Sequence, residues 1–277
     1  MEHRDRPLPV ARVPRLAFRG DRAEKGERVV PEETAIAFTY GRMTHAVMMA
    51  TPADLEDFAI GFSLSEGIIR AAADLSALDI VATDLGIELR MDLAAERSEA
   101  LIERRRHLAG PSGCGLCGIE SLEEAMRRLP KVAGGLRLSP RQISDAVEAL
   151  GAAQKLNREA RAIHAAGFWE LGQGLVALRE DVGRHNALDK LAGALARQGA
   201  SPGGGTVVLT SRLSIELVQK VAIMGAPVVV AVSAPTALAI RAADDAGITL
   251  VGVARGDGFE IFTRPERILQ PAADHVA

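Results

Sequence analysis

Three short, unbroken apolar runs limit the fold more than any other feature: Thr206-Val-Val-Leu-Thr210, Val228-Val-Val-Ala-Val232 and Ile248-Thr-Leu-Val-Gly-Val253. Each has the length of a strand, and helical patterns at Ser214 to Met224 and Thr236 to Ala246 lie between them. A strand that is apolar throughout must be covered on both faces. Strands alternating with helices give a mainly parallel sheet with helices on each side. Residues 134–277 are therefore expected to form an α/β domain, with Leu175 to Leu178 as a further strand and Asn186 to Gln198 as an amphipathic helix.

The earlier part of the chain reads differently. Residues 1–26 are rich in Pro, Arg and charge and are expected to form a flexible N-terminal segment. Arg28 to Val30, Thr34 to Phe38 and Thr44 to Met49 alternate as strands, with Tyr40-Gly41-Arg42 as a turn. Thr51-Pro52 has the form of a helix N-cap followed by proline in the first turn. Leu55, Phe58, Ala59 and Phe62 then recur at helical spacing up to Gly67. Ile80 to Ala82 and Ile87 to Met91 make two more strands, so residues 27–133 read as a smaller α+β domain with strand hairpins. Helices are expected from Ser121 to Arg128 and from Ser139-Pro140 to about Asn157.

Composition excludes several function classes. A formal charge of -3 argues against bulk nucleic-acid binding but not against a local pocket for an anion, and no run reaches the roughly 20 apolar residues of a membrane-crossing helix. The N-terminus lacks the apolar core of a secretory signal, so a cytoplasmic location is expected. Both cysteines lie three positions apart, in Ala109-Gly-Pro-Ser-Gly-Cys-Gly-Leu-Cys-Gly118. Four glycines and a proline in ten residues cannot pack as a regular helix or strand, so a mobile loop is expected over 109–118.

A Cys-x-x-Cys in such a loop suits three chemistries. Zinc needs four ligands, and here there is one cysteine pair with no spaced histidine pair, so a metal site requires a second chain. Dithiol exchange usually places the motif at the start of a helix after a strand, whereas glycines surround this one. Sulfur relay needs an accessible nucleophilic thiol that holds sulfane sulfur as a persulfide and presents it elsewhere. Arg104, Arg105, Arg106 and His107 lie near enough in sequence to favour the thiolate, or they are simply a solvated helix end. Zinc deaminase chemistry is excluded, because no His-x-Glu or Cys-x-Glu is present and Gly113 precedes Cys114 where a proline is required.

The carboxyl ends of the expected parallel strands are the natural ligand sites of an open α/β sheet. They carry Thr210-Ser211-Arg212, Ser233-Ala-Pro-Thr236 and Val253-Ala-Arg-Gly-Asp-Gly258. In the last of these, Gly256 and Gly258 permit close backbone approach, Arg255 can fork onto a phosphate and Asp257 can accept hydrogen bonds from a guanine edge. An ordinary Asp-Gly turn into the strand Phe259 to Phe262 accounts for the same residues. Between Glu180 and Lys190, the side chains of Asp181, Arg184, His185 and Asn186 either line a pocket or satisfy caps and buried backbone. Trp169, beside Phe168, reads as core or interface.

These landmarks together resemble the FdhD family, the formate dehydrogenase accessory sulfurtransferases. The resemblance runs from about Arg28 to Thr263. It is carried by Val30 to Thr34, Asp57 to Gly67, Ser112 to Gly118, Glu180 to Lys190, Thr210 to Arg212 and Val253 to Gly258. It implies a sulfur carrier that takes sulfur from a cysteine desulfurase as a cysteine persulfide and passes it to the molybdenum cofactor, in its bis(molybdopterin guanine dinucleotide) form, for formate dehydrogenase. The alternative is a chaperone that only holds this cofactor for insertion. Cys114 corresponds to the family's persulfide carrier, with Cys117 as the supporting thiol. Val253, Ala254, Arg255, Gly256, Asp257 and Gly258 correspond to its cofactor-binding segment, whose first position is often aromatic where this chain has Val253. The resemblance further implies a homodimer, a cytidine-deaminase-like C-terminal fold and no intrinsic metal.

Overall fold

The computed structural model describes residues 6–107, 127–256 and 258–269. The expected cysteine loop, the helix expected from Ser121 and Asp257 fall wholly or largely outside those residues. Two units can be distinguished. One comprises Met1–Met126, Gln154–His164 and Glu180–Gly193, and the other comprises Arg127–Ala153, Ala165–Arg179 and Ala194–Ala277. The short returns of the chain at 154–164 and 180–193 were not visible as a boundary in the sequence.

The first unit begins with a two-stranded antiparallel ribbon, β1 (Val10–Arg19) and β2 (Arg22–Pro31). This corrects the expectation of a flexible N-terminal segment. Pairing runs without interruption from Val10 opposite Pro31 to Arg19 opposite Arg22, closed by Gly20 at a φ of 59°. Charge and proline concealed it, because a ribbon open to solvent on most of its length needs no apolar alternation.

A four-stranded sheet follows, in the order β4-β3-β6-β5, built from β3 (Thr34–Tyr40), β4 (Met43–Ala50), β5 (Leu75–Ala82) and β6 (Ile87–Leu93). The two hairpins are antiparallel and β3 joins β6 in parallel, so the expected hairpin architecture holds. Helix α1 (Leu55–Ser65) supplies Phe58 and Phe62 to this core, and both rings contact Phe38, at centroid distances of 4.9 and 4.1 Å. Helix α2 (Ala95–His107) takes in the basic run Arg104 to His107 as its last turn. The helix start expected at Thr51-Pro52 falls later, since α1 begins at Leu55 behind a left-handed Asp54.

The second unit carries most of a six-stranded sheet in the order β12-β11-β10-β9-β7-β8. Its strands are β7 (His164–Glu170), β8 (Gly174–Asp181), β9 (Gly205–Leu209), β10 (Val228–Ala231), β11 (Thr249–Arg255) and β12 (Gly258–Ile261). The three apolar runs are the central parallel strands β9, β10 and β11. The flanking pairs β11–β12 and β7–β9 are antiparallel, so the sheet is mixed rather than mainly parallel. Helix α3 (Pro140–Ala153) buries Ile143, Ala146 and Leu150 in a core shared with Val208, Val230 and Val251, and Trp169 joins that core. A short α4 (Lys155–Ala160) follows, where the sequence suggested one continuous helix. Then come α5 (Arg184–Gln198), α6 (Ile215–Met224) and α7 (Ala237–Ala246). Among the described residues no helix is long and apolar enough to cross a membrane.

Two glycines set the packing of the first unit. A Cβ added at Gly61 of α1 would overlap the carbonyl oxygen of Asp189, and one added at Gly193 of α5 would overlap the carbonyl oxygen of Asp57. The two backbones touch where no side chain fits. Gly61→Ala and Gly193→Ala should each lower stability by about 3 kcal/mol or more, because backbone on both sides cannot yield as a side chain can. Gly151→Ala, whose added methyl meets nothing within 4 Å, serves as the control in the same urea titration.

Candidate functional site

The stretch from Glu180 to Lys190, whose role the sequence left open between pocket and packing, is largely a buried polar framework. Lys190 and Asp181 are completely buried and paired at 2.6 Å. The Lys190 ammonium also donates to the carbonyl of Thr51 at 2.8 Å and lies 5.3 Å from the Phe58 ring centroid. Asp181 Oδ2 accepts the Thr51 backbone N–H as well, while Oδ1 accepts from the Gly183 N–H and the Asn186 amide. That amide donates in addition to the Met49 carbonyl, and Thr51 Oγ1 accepts the Val182 N–H.

Thr51 is thus the node on which the strand end, α5 and the β4–α1 connection meet. Sequence reasoning read it as a helix cap and missed this role. Its neighbour proline gave the local signal, whereas the partners lie 130 residues away.

Glu180 works the same way at a helix start. Its two carboxylate oxygens accept the N–H groups of Leu156 and Asn157, the first turn of α4. Ser65 donates to Asp189 at 2.6 Å, and Tyr40 and Ser63 share a buried hydrogen bond at 2.7 Å. Burial pushes the Tyr40 hydroxyl's pKa far up, which keeps it neutral. These groups therefore hold the fold. Burial also depresses His164 below the ordinary imidazole value, with Arg184 acting in the same direction and Asp181 against it.

The three strand ends expected as ligand sites fare differently. After β9, Thr210 Oγ1 is taken up by the Ala165 N–H, and Ser211 donates to the Arg212 carbonyl. After β10, Thr236 caps α7 through the Ala239 N–H. The two loops are joined by backbone bonds between Leu213 and both Ala234 and Thr236. The side chains of Thr210, Ser211 and Thr236 serve the backbone.

The end of β11 is more open. Gly252 faces Glu260 and Arg255 faces Gly258, so β11 carries one residue more than β12 across the same span. Val253, inside this bulge, has a φ of 53°, a conformation β-branched residues strongly avoid. Its N–H donates to the Ser233 carbonyl. Ala254 is buried, Arg255 is exposed and Gly256 turns at a φ of 64°. Gly256 also borders a cleft. That cleft, about 570 Å³, is lined by Gly256 and Phe259 and by Pro140, Arg141, Ser144, Val147 and Glu148 of α3. Cys114, Cys117 and Asp257 lie outside the described residues, so the geometry brings together only Val253 to Gly256 and Gly258 of the expected site.

Removing the ammonium by Lys190→Met should cost about 3–5 kcal/mol, since it leaves a buried carboxylate short of its counter-charge. Thr51→Val should cost about 1–3 kcal/mol through the orphaned Val182 N–H. Urea denaturation at neutral pH checks both.

His164 predicts a direction in pH. Its depressed value favours the neutral ring in the folded state, so its contribution is intact above the ordinary imidazole value of about 6.5 and is lost as pH falls below it. His164→Gln should therefore lose less stability than the parent chain between about pH 7.5 and about pH 5. An equal or larger loss would contradict the assignment.

A family model described as the FdhD/NarQ family matches residues 31–269. The sulfur carrier protein FdhD of Agrobacterium fabrum is 56% identical over 259 residues, which cover 93% of this chain and 96% of that protein. The protein of the same name from Xanthomonas campestris pv. campestris is 47% identical over 264 residues, 95% of this chain and 93% of that one. A crystal structure assigned as a formate dehydrogenase accessory protein from Desulfotalea psychrophila matches with a TM-score of 0.73 at 25% identity, covering 95% of this chain and 100% of the other.

Proposed function

The chain belongs to the FdhD/NarQ family, and from that membership we propose that it carries sulfur as a persulfide on Cys114 and passes it to the molybdenum cofactor of formate dehydrogenase. The observation that carries this reading is the agreement of two independent facts. Relatives alike over nearly the whole chain are named sulfur carrier proteins, and this chain keeps both of its cysteines in one Cys-x-x-Cys.

The chemistry then follows from thiol exchange. The Cys114 thiolate attacks the terminal sulfur of a desulfurase's cysteine persulfide; the new S–S bond forms as the old one breaks, and the desulfurase cysteine leaves as a thiolate. Attack by the Cys117 thiolate on the Cys114 sulfur then expels hydrosulfide and leaves a Cys114–Cys117 disulfide. The two thiols supply the two electrons that turn sulfane sulfur into sulfide, and a cellular dithiol reductant restores the pair. The recipient is the bis(molybdopterin guanine dinucleotide) cofactor, which is the substrate of the transfer, and Val253 to Gly258 would hold its nucleotide end. A thiolate is required at both steps, and a cationic run such as Arg104 to His107 would favour it.

Incubation of the protein with a cysteine desulfurase and cysteine should add one sulfur to the Cys114 peptide, read by mass spectrometry without reductant. Cys114→Ala should abolish both that adduct and formate dehydrogenase maturation in cells, with the urea midpoint unchanged. Maturation that survives the substitution would replace the relay with a cofactor-holding chaperone.

A further inference from the structure

We propose that the β1–β2 ribbon is the arm by which the chain docks on its sulfur donor, against a surface of that protein that is rich in carboxylates around an apolar centre. The proposal rests on the reading of Cys114 as the residue that takes up sulfur, and it concerns residues that the relay itself does not use.

The ribbon is unusual first in its exposure. Among the described residues β1 and β2 pair only with each other. Helix α4 packs against β2, and partial burial is confined to Pro9–Ala11, Ala17 and Val29–Pro31. From Arg12 to Arg28 every residue but Ala17 is exposed, including Leu16 at 55% and Phe18 at 69%. A two-stranded ribbon is marginal by itself in water. Two large apolar side chains held side by side near its turn mark a contact surface.

Its charge is unusual as well. Between Val10 and Pro31 six cations stand against three carboxylates, in a chain whose net charge is -3. The register puts Arg15, Arg19, Arg22 and Arg28 on one face, and Leu16, Phe18 and Ala23 on the other. No cation lies opposite a carboxylate: Lys25 is opposite Leu16, while Glu24 and Glu27 are opposite Ala17 and Pro14. Arg19 and Arg22 face each other directly, a like-charge pair that weakens a hairpin. Among the described residues none of the six forms an ion pair, and Arg15 donates to the Glu27 carbonyl instead. Alone, this pattern destabilises the ribbon. Opposite a carboxylate-rich surface it stabilises a complex.

The composition favours a protein over a phosphate surface. Five of the six cations are arginine. Arginine and phenylalanine are enriched at protein interfaces and lysine is depleted there, whereas an anionic lipid surface draws both cations alike. Asp21, Glu24 and Glu27, interleaved with the cations, would be repelled by a run of phosphates, but a protein surface can match both signs. Ten residues make the ribbon about 30 Å long and about 10 Å wide, so one face offers roughly 300 Å², well below the ~800 Å² per partner of a standard interface. Such a contact suits brief encounters, and a carrier has to leave its donor after each loading.

The unit on which the ribbon stands points to the donor rather than the recipient. The ribbon and α2 belong to the same unit, and Cys114 follows the end of α2 by seven positions in the sequence. Val253 to Gly256 belong to the other unit. A protein held by the ribbon is held on the unit from which the thiol's segment departs.

Calorimetric titration of the full chain with the cognate cysteine desulfurase, without cysteine, tests this. The parent should bind, and its affinity should fall as salt rises from about 50 to about 300 mM. The double substitution Arg19→Gln and Arg22→Gln, and separately Phe18→Ser, should each weaken binding by about tenfold or more. The double variant removes the repulsion between the two arginines, so its loss cannot come from an unfolded ribbon. Arg241→Gln, at an exposed arginine of α7, should bind as the parent does. Persulfide formed on Cys114 by inorganic polysulfide should be the same in every variant.

Parent affinity in either ribbon variant would overturn the proposal, as would a parent chain that does not bind the desulfurase. A changed sedimentation coefficient in the variants would give the face to a second copy of the chain. Weaker binding to phosphatidylglycerol vesicles, with desulfurase binding intact, would give it to lipid. Either result overturns the proposal. The two readings fail separately. A desulfurase that binds through the ribbon but leaves Cys114 unmodified when cysteine is added refutes the relay, whereas loading of Cys114 with unaltered affinity in the variants refutes the docking arm alone.

Discussion

The buried pair of Lys190 and Asp181 is the interaction on which the first unit depends. An ammonium and a carboxylate, both with no solvent exposure, cost several kcal/mol each to remove from water, and attraction alone does not reliably offset that cost. What makes the pair tolerable is the number of groups that share it. Between them the two side chains take up the N–H and C=O of Thr51, the Gly183 N–H and the Asn186 amide, while the Phe58 ring lies near the ammonium. Two segments distant in sequence, the end of β4 and the junction of β8 with α5, can satisfy their backbone groups only in one mutual arrangement. An apolar replacement would fill the volume but would leave those groups without partners. The pair therefore fixes geometry more than it adds stability, and Gly183 is required beside it because a methyl there would crowd the Asn186 amide.

How much of this was legible in the sequence depends on the distance over which the causes act. β9, β10 and β11 could be read because burial on both faces leaves an unbroken apolar run, a purely local consequence. The start of α3 and the β3–β4 hairpin were legible from other local signals, a Ser-Pro helix opening and alternation broken by a Gly turn. The ribbon of β1 and β2 was not, because strands exposed on most of their length carry no pattern, and ten residue pairs take their order from each other. The mixed strand directions were hidden as well: an apolar run says that a strand is buried, never which way its neighbour points. Thr51 misled because Thr-Pro is a common helix opening, and nothing local announces a carboxylate 130 positions later.

The candidate site divides along the same line. The Val253 to Gly258 motif was visible, but the backbone that makes it unusual was not. A β-branched residue in the left-handed region costs roughly 1–2 kcal/mol and persists only where its surroundings dictate it. Here the Val253 N–H is bonded to the Ser233 carbonyl, and Gly252 is so tightly enclosed by Pro235 and Phe262 that the chain has little alternative. The extra residue rotates the end of β11 and brings Gly256 and Phe259 to the cleft. The α3 residues that line the cleft were unreadable as such because they look like an ordinary amphipathic helix. Only the packing of the buried stripe determines what the exposed stripe faces.

The proposed sulfur chemistry makes a different demand, one that few residues can meet. Holding sulfane sulfur requires one thiol, but releasing it as sulfide requires two electrons, which one thiol cannot give without ending as a radical or a mixed disulfide. In the proposed relay a second cysteine three positions away supplies the other electron, and since the chain has two cysteines in all, no further thiol of its own would compete for the persulfide. In the proposed function, holding a large nucleotide would need walls, distances and fixed charges, which regular structure supplies. Sulfur exchange needs only reach and a thiolate, for which two cysteines among glycines suffice. Under the proposed function the two tasks place opposite requirements on the backbone and fall in separate segments of the sequence, at Cys114 to Cys117 and at Val253 to Gly258.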